Sequence, residues 1–442
     1  MMFLKTKKNY IKSVPFFMCF CLSSTVFANE TIQPKNTIDD LIKMNEMLEQ
    51  RLLKLEQTTE TYKNSALIKA SAPNIDEGLT VAFHGYIKAD LIYDIGAQSG
   101  DRINYGAIPL KGSPADNISG HYRMHARESR INFQTKMNTK YGQLKTLIEG
   151  DFFGGDTFSP AGSEVISNAV DFRLRHAYAE LGPWLLGQAS SNYVDVASYP
   201  ENLNFANDTG QVLLRQSQLR YTLPYKGFTY SFSLENPEAD FIDTAGQKRP
   251  NGQDSIPDVT ARILFKDSFG HVSLQSVFRK LTVNDGTFKD NTNGFGLGIS
   301  GKVKTFNRNQ LRFHLSAGDG IGRYIQEAAN TAAVVSGTGT NNLTIDTQKA
   351  WGGYLGYQHW WTENVRSNFN LGFVTVDWNE PLLSQSVSDL QNKYIKSYHV
   401  NIIWRLLPKV NLGLEISKAE REQVNGAKGN INRVQMSAKY EF

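Results

Sequence analysis

Over residues 79–442 apolar and polar side chains alternate in segments that outrun the strands of a globular sheet. Val81, Phe83, Gly85, Ile87, Ala89, Leu91, Tyr93 and Ile95 fall on one face of the first segment, and His84, Tyr86, Lys88, Asp90 and Asp94 fall mainly on the other. A period of two sends successive side chains to opposite faces of a strand, and ordinary strands run to about five or six residues. A longer strand with one apolar and one charged face has an apolar medium on one side and water on the other. The same alternation recurs at residues 227–234, 311–317 and 397–405.

The connections between such segments alternate in length. Short ones fall near residues 139–142, 182–183, 224–227, 267–270, 305–309, 361–364 and 407–409. Long ones fall near 98–120, 155–169, 191–210, 237–257, 284–293, 319–348, 379–393 and 422–429. Seven short turns and eight long loops require sixteen strands. Short turns at one end and long loops at the other mark an outer-membrane barrel, whose closure leaves no strand edge unsatisfied in lipid. The expected fold is therefore all-β: a 16-stranded antiparallel transmembrane β-barrel. The last strand sends Val434, Met436, Ala438, Tyr440 and Phe442 to one face. Its aromatic end, Tyr440 and Phe442, is similar to the signal by which barrels are handed to their assembly machinery.

The N-terminal part of the chain follows other periods. Residues 1–28 hold Lys5, Lys7, Lys8 and Lys12, a short apolar stretch, and Val26-Phe27-Ala28 as a small-residue cleavage site, the three parts of a secretory signal. Removing it takes away both cysteines, Cys19 and Cys21, and leaves 43 basic residues against 43 acidic ones. Disulfide scaffolds and multi-cysteine metal centres are thereby excluded, and net charge gives a nucleic-acid partner no support. Residues 29–72 lack glycine, and apolar residues recur at heptad spacing: Ile38, Leu41, Asn45, Leu48, Leu52, Leu55 and Tyr62 form a seam. That pattern predicts a short periplasmic α-helical coiled coil with Asn45 as a register-fixing polar residue. Residues 73–78 read as a linker, and the barrel domain as 79–442.

Several segments carry a family resemblance: Gly85-Tyr86-Ile87-Lys88-Ala89-Asp90, Arg127-Glu128-Ser129-Arg130-Ile131-Asn132-Phe133, Glu149-Gly150-Asp151-Phe152-Phe153-Gly154, Phe172-Arg173-Leu174-Arg175-His176-Ala177-Tyr178 and Arg215-Gln216-Ser217-Gln218-Leu219-Arg220-Tyr221. In order and spacing the chain resembles the DcaP-like trimeric outer-membrane porins. After Leu186-Gly187-Gln188 that pattern has Ser/Thr and an aromatic residue, where this chain has Ala189-Ser190-Ser191. The resemblance implies a Gram-negative outer-membrane channel, a periplasmic helical extension, a homotrimer, and anionic solutes including dicarboxylates. Expected partners are two further copies of the chain, outer-membrane lipid, the barrel-assembly machinery and small anionic solutes.

Alternation places Arg130, Arg173, Arg175, Arg220 and Arg262 on the inner face, since a charge on the lipid face at mid-depth costs about 2–4 kcal/mol. Guanidiniums in a narrow passage attract and orient carboxylates. Alternatively these arginines pair with Glu128, Glu149 and Asp151 and hold the wall together. Asp195, Glu201 and Asp208 of the third long loop would face them if that loop folds inward. No cofactor or metal is expected: on a strand His121 and His125 lie about 13 Å apart. Gly294, Gly296 and Gly298 lack the helix a dinucleotide loop needs, and read as places where strands bend or subunits touch. Hydrolase motifs such as Gly-x-Ser-x-Gly are missing, so an enzyme barrel ranks behind both a porin and a cell-wall tether or adhesin.

Overall fold

The computed structural model describes residues 46, 47, 49, 50, 78–154, 168–205, 208–249, 252–329, 331–378 and 382–442. The chain divides into two units, residues 1–75 and 76–442. In the first, residues 46, 47, 49 and 50 are helical and exposed. The seam residues Ile38, Leu41, Asn45, Leu48, Leu52, Leu55 and Tyr62, the signal, and most of the linker lie outside the described residues.

In the second unit the alternating segments become sixteen antiparallel strands. They are β1 (Thr80–Gly96), β2 in two pieces (His121–His125 and Arg130–Thr139), β3 (Gly142–Gly154), β4 (Asp171–Leu181), β5 (Trp184–Ser190), β6 (Arg215–Tyr225), β7 (Phe228–Glu235), β8 (Asp258–Asp267), β9 (Gly270–Asn284), β10 (Lys289–Lys304), β11 (Gln310–Asp319), β12 (Lys349–Trp360), β13 (Val365–Asp377), β14 (Asn392–Leu407), β15 (Val410–Gln423) and β16 (Lys428–Glu441). Each pairs with its neighbours in sequence, and β1 pairs with β16 from Tyr86↔Glu441 to Gly96↔Ile431, which closes the barrel. Val81, Phe83, Ile87, Leu297, Val400, Ile402, Trp404 and Met436 stand exposed on the outside, while Lys88, Asp90, Asp94, Arg433 and Gln435 are buried inside.

All seven short turns appear, at residues 140–141, 182–183, 226–227, 268–269, 305–309, 361–364 and 408–409. At the other end, loop 1 spans 97–120, loop 2 155–170, loop 3 191–214, loop 4 236–257, loop 6 320–348 and loop 7 378–391. Two expected long loops are instead tight turns: loop 5 is residues 285–288 and loop 8 is 424–427. The ladders β9–β10 and β15–β16 continue through Val283↔Asp290 and Glu422↔Lys428. Beyond the apolar band both faces of a strand meet water, so polar residues there carry no loop signal.

The interior also departs from a uniformly polar wall. Near the loop end the inward Val277, Ala350, Val374, Val376, Ile395 and Ile431 pack against Ile103, Tyr105 and Ile108 of loop 1, Tyr193, Val194 and Val212 of loop 3, and Ile321, Tyr324 and Ile325 of loop 6. Here the inner wall meets folded loops instead of water. Gly296 and Gly298 make that room: a Cβ would lie 2.7 Å from Ile321 and 3.0 Å from the Tyr193 hydroxyl. These glycines therefore seat loops, which replaces the expectation of strand bends or subunit contacts.

Closure is reinforced at the seam. Arg433 donates to both oxygens of Asp94 at 2.7 and 3.0 Å, with both side chains buried. The Phe442 N–H donates to the Gly85 carbonyl at 3.1 Å, and its ring stacks on Phe83, 5.7 Å between centroids. The Phe442 ring lies over Gly85, where a Cβ would sit 2.7 Å from it. Gly85→Leu is expected to displace the terminal ring and destabilise the closed barrel by about 1–3 kcal/mol, as overpacking does. Thermal loss of the heat-modifiable gel band measures this, and a wild-type profile would contradict it.

Candidate functional site

The charged centre of the barrel is built on β2, β3 and β4. The β3–β4 ladder runs Glu149↔His176 and then Gly150↔Leu174, leaving Arg175 as an extra residue. Such a bulge re-aims side chains, and Arg175 and His176 accordingly both line the interior. Asp151, fully buried, accepts from Arg173 Nε and Nη2 at 3.0 and 2.8 Å and from Arg175 Nη1 at 2.7 Å. Glu149 accepts from Arg175 Nε at 2.8 Å and lies 3.6 Å from Arg130 Nη1. Three guanidiniums thus share two carboxylates. The Arg130 guanidinium also lies 5.2 Å from the centre of the Tyr86 ring.

Loop 3 folds inward over this cluster. Phe205 stacks on Phe153 of β3 at 4.1 Å, nearly parallel. Arg173 covers the Phe205 ring and Arg127 the Phe153 ring, at 5.5 and 4.8 Å. Between loop and wall lies a cavity of about 480 Å3. Its cations are Lys88, Arg130, Arg175, Arg215, Arg366 and Lys439, and its acids are Glu128, Glu149, Glu201 and Glu441.

The loop is held by carboxylates on both sides. Asp195 accepts from His271 and Ser300, each at 2.8 Å, and pairs with Arg262 at 3.3 Å. Burial works to raise the Asp195 carboxyl, but His271 and Arg262 hold it below its usual range. Glu201 receives Arg366 bidentately at 2.7 and 2.5 Å. The Leu203 and Asn204 N–H groups donate to Glu415 of β15 at 2.7 and 3.2 Å, and Lys88 Nζ donates to the Leu203 carbonyl at 2.7 Å. Glycines on the inner wall make the close approach possible: a Cβ on Gly356 would meet Pro200 at 2.9 Å, and one on Gly413 would meet Leu203 at 2.8 Å.

The residues named from the sequence therefore separate into groups. Arg130, Arg173, Arg175, Glu149 and Asp151 come together. Glu128 pairs with Lys88, Arg262 with Asp195, and Glu201 with Arg366. Asp208 accepts from Asn202 at 2.9 Å within loop 3. Arg220 lies away from the cavity, within electrostatic reach of Glu180, Glu235 and Arg262. Lys88 and Arg366 were legible as inward cations by alternation. Arg215 was not: strict alternation from Leu219 and Ser217 sends it outward, yet it lines the cavity at the start of β6.

A sequence profile of the DcaP outer membrane protein family matches residues 23–442. The chain belongs to that family. Its fold matches the outer membrane channel DcaP of Acinetobacter baumannii with a TM-score of 0.70 at 20% identity, over 84% of this chain and 99% of that one. An anion-selective porin from Comamonas acidovorans matches at a TM-score of 0.52 and 13% identity, over 82% and 100% of the two chains. OmpF of Salmonella typhi matches at 0.50 and 10%, over 83% and 98%. Among curated proteins none matches the chain significantly. The DcaP family places the barrel in the Gram-negative outer membrane.

Loops 3 and 6 meet at a buried acidic junction. Glu327 accepts from the Thr209 hydroxyl and the Gly210 N–H, each at 2.7 Å. Burial pushes the Glu327 carboxyl up to about 7, and burial likewise pushes Asp208 up to about 6. A carboxyl with a raised folded-state pKa contributes stability that is fully present below its unfolded value and lost as pH rises through the folded one. Amide-exchange protection of residues 208–211, corrected for intrinsic rates, is therefore expected to fall between about pH 5.5 and 8. Glu327→Gln should flatten that dependence, and equal protection at both pH values in the native protein would contradict it.

Proposed function

We propose that the protein is a passive diffusion channel for small hydrophilic solutes that prefers anions such as dicarboxylates. The carrying observation is the cation surplus of the cavity: its four acids each have a cationic neighbour, and Arg215 and the loosely held Arg130 remain over. A surplus positive charge in a narrow, low-dielectric passage raises the local concentration of anions. Acids share the wall, so the preference is modest. Arg173 and Arg175 both hold Asp151, and their pairing leaves Arg130 only a 3.6 Å approach to Glu149.

Under a salt gradient across a planar bilayer, the purified protein is expected to give a reversal potential of anion-selective sign, and a cation-selective sign would reject the reading. Arg173→Ala with Arg175→Ala converts three guanidiniums and two carboxylates into one and two. That double variant should lose anion preference and also lose barrel stability by about 3–5 kcal/mol, because buried Asp151 is stranded. Lost stability with unchanged selectivity would assign these two arginines to the wall alone.

The reading extends to assembly. Residues 1–28 are a cleaved signal, residues 29–72 a periplasmic helical extension joined through 73–78, and Tyr440 and Phe442 the mark read by the assembly machinery. The protein is a homotrimer. Supporting this, β5 has seven residues, which at 35–45° tilt span roughly 16–19 Å against an apolar band of about 25 Å. A wall that short meets lipid poorly and is better covered by a neighbouring barrel. The heptad seam from Ile38 to Tyr62 would add three short helices at high effective concentration. Native mass spectrometry is expected to give a trimer; a monomer as sole species would refute it.

A further inference from the structure

We infer that Arg215, and not the arginines bound to Glu149 and Asp151, is the residue that grips the carboxylate of a passing solute. The inference rests on the anion-channel reading above and assigns the contact within it. Among the described residues, the Arg215 guanidinium has no ion pair and no side-chain hydrogen bond, yet it lines the cavity.

Of the other cavity cations, Lys439 is paired with Glu441 at 2.7 Å and Arg130 reaches only Glu149, at 3.6 Å, while the remaining three are firmly engaged. Arg175 is fixed by two carboxylates at 2.8 and 2.7 Å, Arg366 is fixed by Glu201, and Lys88 lies against Glu128. Each would have to release a partner before taking a solute. Arg215 has none to release. Its charged surroundings are unfavourable as they stand, because Arg130, Arg173 and Arg175 are all within electrostatic reach of it. Like charges gathered in a poorly solvated space repel, and a carboxylate placed among them relieves that repulsion.

The two carboxylate oxygens match the paired N–H groups of one guanidinium. Arg215 therefore contributes geometry as well as charge, while the paired arginines contribute mainly field. Its place at the strand end, where loop 3 returns to β6, puts the contact in the cavity that Tyr199 and Phe205 also line.

Block of single-channel chloride current by succinate tests the assignment. Arg215→Gln is expected to weaken block by about tenfold, with the heat-modifiable gel shift unchanged. Arg215→Lys should keep the anion-selective reversal potential while still weakening block, because the charge remains and the paired donors are lost. Block equal to the native channel in Arg215→Gln overturns the assignment and leaves the anion reading standing. Should Arg215→Gln fail to assemble, Arg215→Lys decides, and native block in that variant overturns the two-donor grip. A native channel that is cation-selective and insensitive to succinate would overturn the underlying reading instead.

Discussion

In hydrocarbon an unpaired backbone N–H or C=O has no water to turn to, and this chain satisfies that constraint by closing its sheet. Pairing of β1 with β16 from Tyr86↔Glu441 to Gly96↔Ile431 removes the last edge. Once the ring is closed, each strand's parity follows from its neighbour's. Asp94 and Arg433, far apart in sequence, must then share the interior, where they pair at the seam. Phe442 must share the outer face with Gly85, and its ring fills the space that glycine leaves.

The charges sent inward fall into two kinds of arrangement. Asp195, Glu201 and Glu415 each bind both the wall and loop 3, through His271 and Arg262, through Arg366, and through the loop's own N–H groups at Leu203 and Asn204. Removing one partner of such a buried pair leaves an uncompensated charge, so these contacts fix where the loop lies. The β2–β4 cluster is different because its cations outnumber its acids. Its pairs hold strands together and leave it one guanidinium in excess. On the sequence alone these arginines read either as a selective face or as wall. The geometry pairs Arg173 and Arg175 firmly with Asp151 and holds Arg130 only loosely to Glu149.

Much of the barrel was legible because alternation, turn residues and strand length all report one constraint, the apolar band. Legibility ended where that constraint ends. Above the band, Asp285-Gly286 and Asn425-Gly426 sit in tight turns between strands whose polar tips resemble loops. Inside the barrel, Val374 and Ile395 face inward although apolar, because loops 1, 3 and 6 cover them. Arg175 and His176 share a side because a bulge breaks the alternation, and a bulge has no fixed sequence signature here. Arg215 reads as lipid-facing by parity, and a lipid-facing arginine costs up to about 2–4 kcal/mol, depending on depth. That conflict was itself a signal that the strand does not begin by the simple rule.

The position of loop 3 and the placing of the guanidiniums depend on the same strands. Phe205 of loop 3 lines the cavity and is held by stacking on Phe153 of β3. Two residues before Phe153, Asp151 receives Arg173 and Arg175 of β4. Arg173 in turn lies over the Phe205 ring. A shift of β4 against β3 would therefore move the aromatic edge and the guanidiniums together. The bulge at Arg175 lies at this junction, where the ladder is already interrupted and a local change disturbs few backbone hydrogen bonds. The loop's aromatic edge and the guanidiniums beside it are thus one mechanical unit, and the loop is tied to the wall again where Glu201 holds Arg366 of β13.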